Sequence, residues 1–240
     1  MALPLEQYLQ PDHNLRPAGP PQRLWIPPVK SRGTRRVALG AKGHGSGAFV
    51  ADNFVTAFES GAEKKAAFAA RAWPGVKDVI DQFPKEKYLD EDGAWHTHTF
   101  DYLVVFDDDS KTAVSCKPWE LVESSEIRRI HKLLAAQMSP AVANRINLVT
   151  ERNISDEDWF NAELIQSVRR DKNPADDAVI ERLTAGLIGT TTIGTLVRAS
   201  GLKGYGFRAV VRLIASFKLS MTDRVRITHD AGVRRRTQED

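Results

Sequence analysis

The sequence predicts an α/β protein in which helices flank a mixed β-sheet, followed by a smaller C-terminal domain. Residues 97–106 and 111–117 are strand-like in composition, and the short acidic stretch between them predicts a β-hairpin. Apolar residues recur at helical spacing in three further stretches. These helices are predicted at residues 60–73, 120–138 and 156–170. Strands and helices that alternate along a chain indicate an α/β fold.

Three shorter strands complete the predicted sheet, and a linker at residues 171–177 ends this region. The strands are predicted at residues 76–83, 86–90 and 145–150. Beyond the linker, residues 191–200 and 205–217 have helical patterns separated by glycines, which predicts a helix-turn-helix. Residues 218–228 alternate enough to form a β wing. We therefore expect a winged-helix domain at residues 176–240.

The composition is that of a globular protein that functions in water. Of the 240 residues, 42% are hydrophobic and 27% are charged. No apolar run is long enough to cross a bilayer, and the N-terminus lacks a signal-peptide pattern. Cys116 is the only cysteine, which excludes an intramolecular disulfide and fits a reducing compartment. We expect a cytoplasmic protein.

Charge is distributed unevenly along the chain. Residues 1–42 carry a net charge of +5, residues 196–240 carry +6, and the region between them carries −8. Proline and arginine are frequent in residues 1–36, which predicts an extended basic arm. Basic ends suit contact with phosphates, and an acidic centre suits a divalent cation. Uneven solvated charge without a ligand is the alternative interpretation.

The predicted hairpin brings together residue types that could hydrolyse a phosphodiester. Ser115 and Lys117 share one face of their strand. Asp101 lies opposite Ser115 if the turn centres on Asp108, and opposite Lys117 if it centres one residue later. The aspartate could hold a hard cation, while the lysine could activate water and stabilise charge on the phosphate. A surface ion pair across the strands is the alternative.

Glu63 has two competing interpretations. Ser60 and Glu63 have the S-x-x-E spacing of a helix capping box. The functional interpretation instead places Glu63 at a helix start that faces the hairpin, as a second carboxylate of the metal site. His96 and His98 form an H-x-H pair, but zinc would need further ligands, so we interpret them as strand or turn residues.

The order of these motifs resembles the TnsA endonuclease family, within the PD-(D/E)xK nuclease superfamily. The resemblance is carried by residues 58–88, FESGAEKKAAFAARAWPGVKDVIDQFPKEKY, with Glu63 followed by P-x-V and Q-F-P elements. It continues through HTHTFDYLVVF at residues 96–106 and AVSCKP at residues 113–118. It implies a restriction-endonuclease-like mixed sheet flanked by helices, which we assign to residues 37–172.

The resemblance also implies a catalytic set and a cofactor. Glu63, Asp101 and Lys117 would be catalytic, and Mg²⁺, with Mn²⁺ able to substitute, would be held by Glu63, Asp101 and the Cys116 backbone carbonyl. Gln82 of the Q-F-P element would support the site. The family has Glu or Gln two residues before the lysine, where this chain has Ser115. A serine hydroxyl is a poorer metal ligand than a carboxylate and could act through a water.

The resemblance finally implies DNA and protein partners. TnsA-type enzymes cut the 5′ ends of a transposon beside an integrase-type (TnsB-like) transposase, and their C-terminal domain contacts an AAA+ (TnsC-like) ATPase. This implies a location on the bacterial nucleoid. The expected DNA- or partner-binding side chains are Arg208, Arg212, Arg224 and Arg226. The alternatives are a stand-alone phage, defence or repair nuclease, and a catalytically decayed DNA- or partner-binding protein.

Overall fold

The computed structural model describes residues 27–35, 37, 45–51 and 53–236. Most of the predicted basic arm, residues 1–26, lies outside the described residues. No described helix has the length and apolar character needed to cross a membrane. The described part of the chain is a mixed α/β structure of helices and several small sheets.

The described elements alternate along most of the chain. The helices are α1 (Gly61–Ala72), α2 (Ile127–Gln137), α3 (Asp156–Arg169), α4 (Pro174–Thr184), α5 (Ile193–Ser200) and α6 (Gly204–Ala215). The strands are β1 (Gly47–Ala51), β2 (Phe54–Phe58), β3 (Val76–Asp81), β4 (Lys85–Leu89), β5 (Trp95–Thr99), β6 (Tyr102–Phe106), β7 (Lys111–Cys116), β8 (Arg145–Val149), β9 (Thr190–Thr192), β10 (Leu219–Met221) and β11 (Gly232–Arg235).

A four-stranded sheet of order β3-β6-β7-β8 forms the centre of the structure. Its first three strands are antiparallel, and β8 is parallel to β7. In β6, Tyr102 and Val104 face α1, while Leu103 faces α2. The central strands are apolar on both faces because a helix covers each side. The predicted mixed sheet between helices is therefore confirmed.

The predicted strand 97–106 is interrupted, and this break is the main correction to the expected sheet. β5 ends at Thr99 and pairs with β4, whereas β6 begins at Tyr102 and pairs with β3 and β7. Phe100 is fully buried on the α2 side together with Leu103. In an unbroken strand these two residues would point to opposite faces. The break therefore interrupts the regular alternation of side chains between the two faces of the sheet, just before β6.

Several predicted boundaries also differ from the structure. The helix expected at 120–138 begins at Ile127, because a 3₁₀ turn at Trp119–Leu121 and a left-handed Glu126 precede it. The expected linker 171–177 contains the start of α4, where the Asn173 side chain caps the helix and Pro174 occupies its first turn. The hairpin β1–β2 was not predicted.

The C-terminal helices α4–α6 pack with a three-stranded antiparallel sheet of order β10-β11-β9. The wing predicted at 218–228 is strand only at Leu219–Met221, and its partner strand is β11. Ile165 and Val168 of α3 belong to the same apolar cluster. The core of this region therefore begins before the linker that the sequence predicts.

Truncation of Leu134 tests how strongly α2 is held against the sheet. Leu134 is fully buried, so Leu134→Ala should lower the free energy of unfolding by roughly 2–5 kcal/mol. Leu121→Ala, in the exposed 3₁₀ turn, should change it by less than about 0.5 kcal/mol. Urea denaturation followed by circular dichroism measures both. Equal effects would show that α2 is not packed as described.

Candidate functional site

Asp101 lies in the break between β5 and β6, where three hydrogen bonds hold it. Its amide donates to Val114 O at 2.9 Å, and its carbonyl accepts from the Gln82 amide at 2.7 Å. Its carboxylate Oδ2 accepts from the Cys116 amide at 2.7 Å. The Asp101 side chain thus takes the place of a backbone carbonyl as the acceptor for the Cys116 amide, between β6 and β7. This fixes a buried carboxylate at the open end of the β6–β7 hairpin.

The register of the hairpin follows one of the two predicted alternatives. Tyr102 pairs with Val114, so the turn centres on Asp108 and the backbone of Asp101 lies across from Ser115. The side chains of Asp101 and Ser115 do not share a face, however. The Asp101 carboxylate is close enough to Glu63 for the two charges to repel, whereas the Ser115 hydroxyl bonds to His131 on α2. The shift of faces at Phe100 explains this difference.

Glu63 caps the first turn of α1. Its Oε1 accepts from Ser60 Oγ at 3.0 Å, and its Oε2 accepts from the Glu59 amide at 2.7 Å. The Glu63 amide in turn donates to Ser60 Oγ at 3.1 Å, which confirms the predicted N-cap. Glu63 is buried, and this burial raises the pKa of its carboxyl. The cap therefore holds an acidic group beside Asp101.

The electrostatics of Asp101 are those of a crowded acidic site. Burial, together with the neighbouring Glu63 carboxylate, raises the pKa of Asp101 to about 7. The Cys116 amide, Lys117 and Arg35 act in the opposite direction. A carboxyl of this kind is partly protonated near neutral pH. A bound cation would favour the ionised form.

Lys117 directly follows β7, and its amide donates to Val149 O at 3.0 Å. Its positive charge lowers the pKa of both Asp101 and His98, which places it within electrostatic reach of both side chains. Asp101 therefore lies within electrostatic reach of both Glu63 and Lys117. The Cys116 thiol is buried in the apolar face toward α1. A metal-binding role for the Cys116 carbonyl stays a prediction.

Ser115 is bound to two imidazoles. Its Oγ lies 2.9 Å from His131 Nε2 and 3.1 Å from His98 Nε2. Burial lowers the pKa of each histidine to about 4, so both are neutral at pH 7. One hydroxyl proton cannot serve two acceptors, so one Nε2 accepts from Ser115 and the other donates to it. Ser115 thus bonds to two histidines, and its expected supporting role at the metal site stays a prediction.

Sequence reasoning missed His131, although its position three residues before buried Leu134 gave a signal. It shares the inward face of α2 with that leucine. The two histidines of the H-x-H pair, His96 and His98, have different partners in the structure. His96 is paired with Asp90 at 2.6 Å and stacks on Tyr88, away from the Ser115 cluster. His98 alone joins the site.

Gln82 connects the site to a segment that the sequence assigned to the basic arm. Gln82 is buried, and its Oε1 accepts from Arg35 Nε at 3.0 Å and Nη2 at 2.8 Å. The same Nη2 of Arg35 lies 2.5 Å from Glu59 Oε2. Sequence reasoning missed Arg35 because residues 1–36 were interpreted as an arm outside the core. The supporting role expected of Gln82 at the site stays a prediction.

The four arginines expected to bind DNA or a partner are engaged in ion pairs within the chain. Arg212 is largely buried and binds Asp177 at 2.7 Å and Asp171 O at 3.0 Å. This placement favours a structural role for Arg212, joining α6 to α4. The other three pairs are more exposed, and their binding role stays a prediction. They are Arg208–Asp171, Arg224–Asp158 and Arg226–Glu157.

The donor set near Asp101 suits a hard cation better than zinc. Among the residues that the structure describes, no group of three or more histidine, cysteine, aspartate or glutamate side chains is arranged to hold a metal ion. Two carboxylates alone are a common set for Mg²⁺, which retains several waters and binds substrate phosphates. The residues present therefore fit Mg²⁺ held mainly by water and substrate.

No protein-family model matches the chain, and no curated protein matches it.

The raised pKa of Asp101 predicts a stability change in the metal-free protein. The folded state keeps a proton up to about pH 7 that the unfolded chain releases near pH 4, so this group costs stability as the pH rises through that window. Asp101→Asn should therefore raise the free energy of unfolding by roughly 1–3 kcal/mol at pH 8, and much less at pH 4. Urea titrations at both pH values, with EDTA present, measure the difference.

Exposed Asp92→Asn is the matched control and should change stability little at either pH. The two histidines act in the opposite direction, because protonation near pH 4–6 favours the unfolded chain. That contribution is common to variant and wild type, so their difference isolates Asp101. A variant that is less stable at pH 8 would contradict the described burial.

Removal of the Ser115 hydroxyl should leave a buried imidazole nitrogen without its partner. We expect Ser115→Ala to lower the free energy of unfolding by about 1–3 kcal/mol. Ser124→Ala, at an exposed position, should stay within about 0.5 kcal/mol of wild type. Nitrogen-15 NMR of the histidine rings provides the second readout. Identical tautomers for His98 and His131 in the wild type would refute the shared hydroxyl.

Proposed function

We propose that the protein is a metal-dependent DNA endonuclease that cuts the 5′ ends of a transposon, in the role that TnsA has in a transposition complex. The observation that carries this proposal is the buried Asp101 carboxylate, which lies within electrostatic reach of both the buried Glu63 carboxylate and Lys117. Two buried acids in one place are costly for the folded state. Perturbed groups of this kind cluster at functional sites.

The chemistry follows from the nature of each group. Asp101, Glu63 and the Cys116 carbonyl would hold Mg²⁺ or Mn²⁺, which supplies a Lewis acid and a water of lowered pKa. Lys117 would orient the attacking water and stabilise negative charge on the phosphate. Asp101 must lose its proton to act as a ligand. Since its pKa is about 7, metal affinity should increase from pH 6 to pH 8.

The finer fold assignment is part of the same proposal. A restriction-endonuclease-like core is supported by the sheet order β3-β6-β7-β8, with Asp101 at the start of β6 and Lys117 just after β7. A C-terminal winged-helix domain is supported by α4–α6 packed with the small antiparallel sheet β9–β11. The helices cover both faces of the central sheet, which leaves its strand ends as the accessible part of the site.

The C-terminal region is proposed to bind a protein partner. Large apolar side chains there are exposed, with Ile188 at 96% and Tyr205 at 68% of their full accessibility. Arginine charge in this region is compensated by aspartates, which weakens its attraction for DNA phosphates. The expected partners are an AAA+ (TnsC-like) ATPase here, an integrase-type (TnsB-like) transposase, and transposon-end DNA. The proposed location is the cytoplasm, on the nucleoid.

Cleavage of end-labelled DNA tests the proposal. The protein should nick DNA with Mg²⁺ or Mn²⁺, alone or with an integrase-type transposase and its ATPase, and Asp101→Ala and Lys117→Ala should abolish nicking. Exposed Asp92→Ala and Lys132→Ala should retain it. Full activity in Asp101→Ala would refute the site. Nicking that needs neither partner, and that is indifferent to transposon ends, would favour a stand-alone nuclease.

A catalytically decayed binding protein is favoured by one observation, the commitment of Ser115 to two histidines where the family has a carboxylate or amide. Calorimetric titration with Mn²⁺ separates the two candidates. An active site should bind Mn²⁺, with affinity that increases from pH 6 to pH 8 and is lost in Asp101→Asn. Wild-type protein that does not bind Mn²⁺ at pH 8 would support the decayed alternative.

A further inference from the structure

Arg35 is held next to the carboxylates by a segment that is itself anchored to the sheet. The Val29 amide donates to Asn53 O at 2.8 Å, and Val29 O accepts from the Val55 amide at 2.9 Å. Ser31 Oγ donates to Asp81 Oδ2 at 2.8 Å, and Arg32 pairs with Asp78. These contacts fix the segment 27–35 against β2 and β3. The position of Arg35 is therefore determined by folding.

The guanidinium of Arg35 is only partly used by its partners. Nε and Nη2 bind Gln82 Oε1 and Glu59 Oε2. Nη1 has no hydrogen bond to any residue that the structure describes, and 49% of the side chain is exposed. Two N–H donors therefore remain on a group whose plane is already oriented. A planar guanidinium with open donors is the side chain best suited to bind a phosphate.

The charge of Arg35 is felt at the centre of the site. It lowers the pKa of both Glu63 and Asp101, so it lies within electrostatic reach of the two carboxylates. Those carboxylates alone would repel the phosphate of a nucleic acid. A fixed cation beside them offsets the repulsion. Positive groups positioned in advance near developing charge make large contributions to catalysis.

We propose that Arg35 is a catalytic residue of this same site, which binds a non-bridging oxygen of the scissile phosphate through its open Nη1 edge. This inference rests on the proposed nuclease function. Gln82 and Glu59 act as positioning residues, because they orient the guanidinium. The alternative is that Arg35 has only a structural role and fastens the segment 27–35 to the sheet. Arg32 provides the comparison, since it fastens the same segment through Asp78.

The experiment compares Arg35→Ala and Arg35→Lys with two matched controls in the full chain. Arg32→Ala removes an anchor from the same segment, and Lys30→Ala removes one exposed positive charge from it. With Mn²⁺ and transposon-end DNA, Arg35→Ala should lower kcat/KM by roughly 10²–10³-fold, of which about tenfold is weaker DNA binding and the rest is a lower kcat. Arg35→Lys should retain part of the activity, and both controls should stay within about threefold of wild type. Added guanidinium ion should partly restore Arg35→Ala only.

Two further measurements keep the outcomes distinct. In Ca²⁺, without cleavage, Arg35→Ala should weaken binding of a short DNA duplex about tenfold relative to Arg32→Ala. Mn²⁺ affinity should be unchanged or higher in Arg35→Ala, because a nearby positive charge is removed. Equal losses in Arg35→Ala and Arg32→Ala would overturn the role of Arg35 and leave the nuclease function standing. Wild-type protein that binds neither Mn²⁺ nor DNA would refute both.

Discussion

The hydrogen bond from the Cys116 amide to Asp101 Oδ2 joins the two central strands where their backbone pairing stops. A break in a strand leaves a buried amide that must find a partner, because an unpaired one costs about 1–3 kcal/mol. The aspartate supplies that partner. It thereby becomes a buried carboxylate at a fixed position, and the acidic site depends on this contact.

The two faces of the sheet carry opposite chemistry around Lys117. Toward α1 lie acids whose pKa values are raised by burial, and toward α2 lie imidazoles whose pKa values are lowered by it. In both cases burial disfavours the charged form. Lys117 influences Asp101 on one side and His98 on the other. Mg²⁺ would change the pKa values of the acids much more than those of the imidazoles, since carboxylates are its usual ligands.

Local pattern was sufficient to predict much of the sheet and of the site. The strand-like composition of 97–106 and 111–117 predicted the hairpin and two possible registers, one of which the structure has, and the S-x-x-E spacing predicted the cap at Ser60. The break at Phe100 was not predictable in this way, because it is set by contacts with Gln82 and Pro84, residues distant in sequence. His131 and Arg35 were missed for a related reason. Their roles come from the packing of α2 and of segment 27–35 onto the sheet. Local sequence periodicity does not predict this packing.

Helix α3 contributes to the core of the C-terminal region, so the chain has no clean boundary between α3 and α4. Ile165 and Val168 complete the apolar cluster of the C-terminal helices, and Arg170 just beyond α3 donates to Val50 O of β1. A proteolytic cut between α3 and α4 would separate the C-terminal fragment from side chains that complete its interior. The newly bared apolar surface would favour self-association of that fragment. Movement of the C-terminal region would also be transmitted through α3 to α1, against which it packs, and through Arg170 to β1.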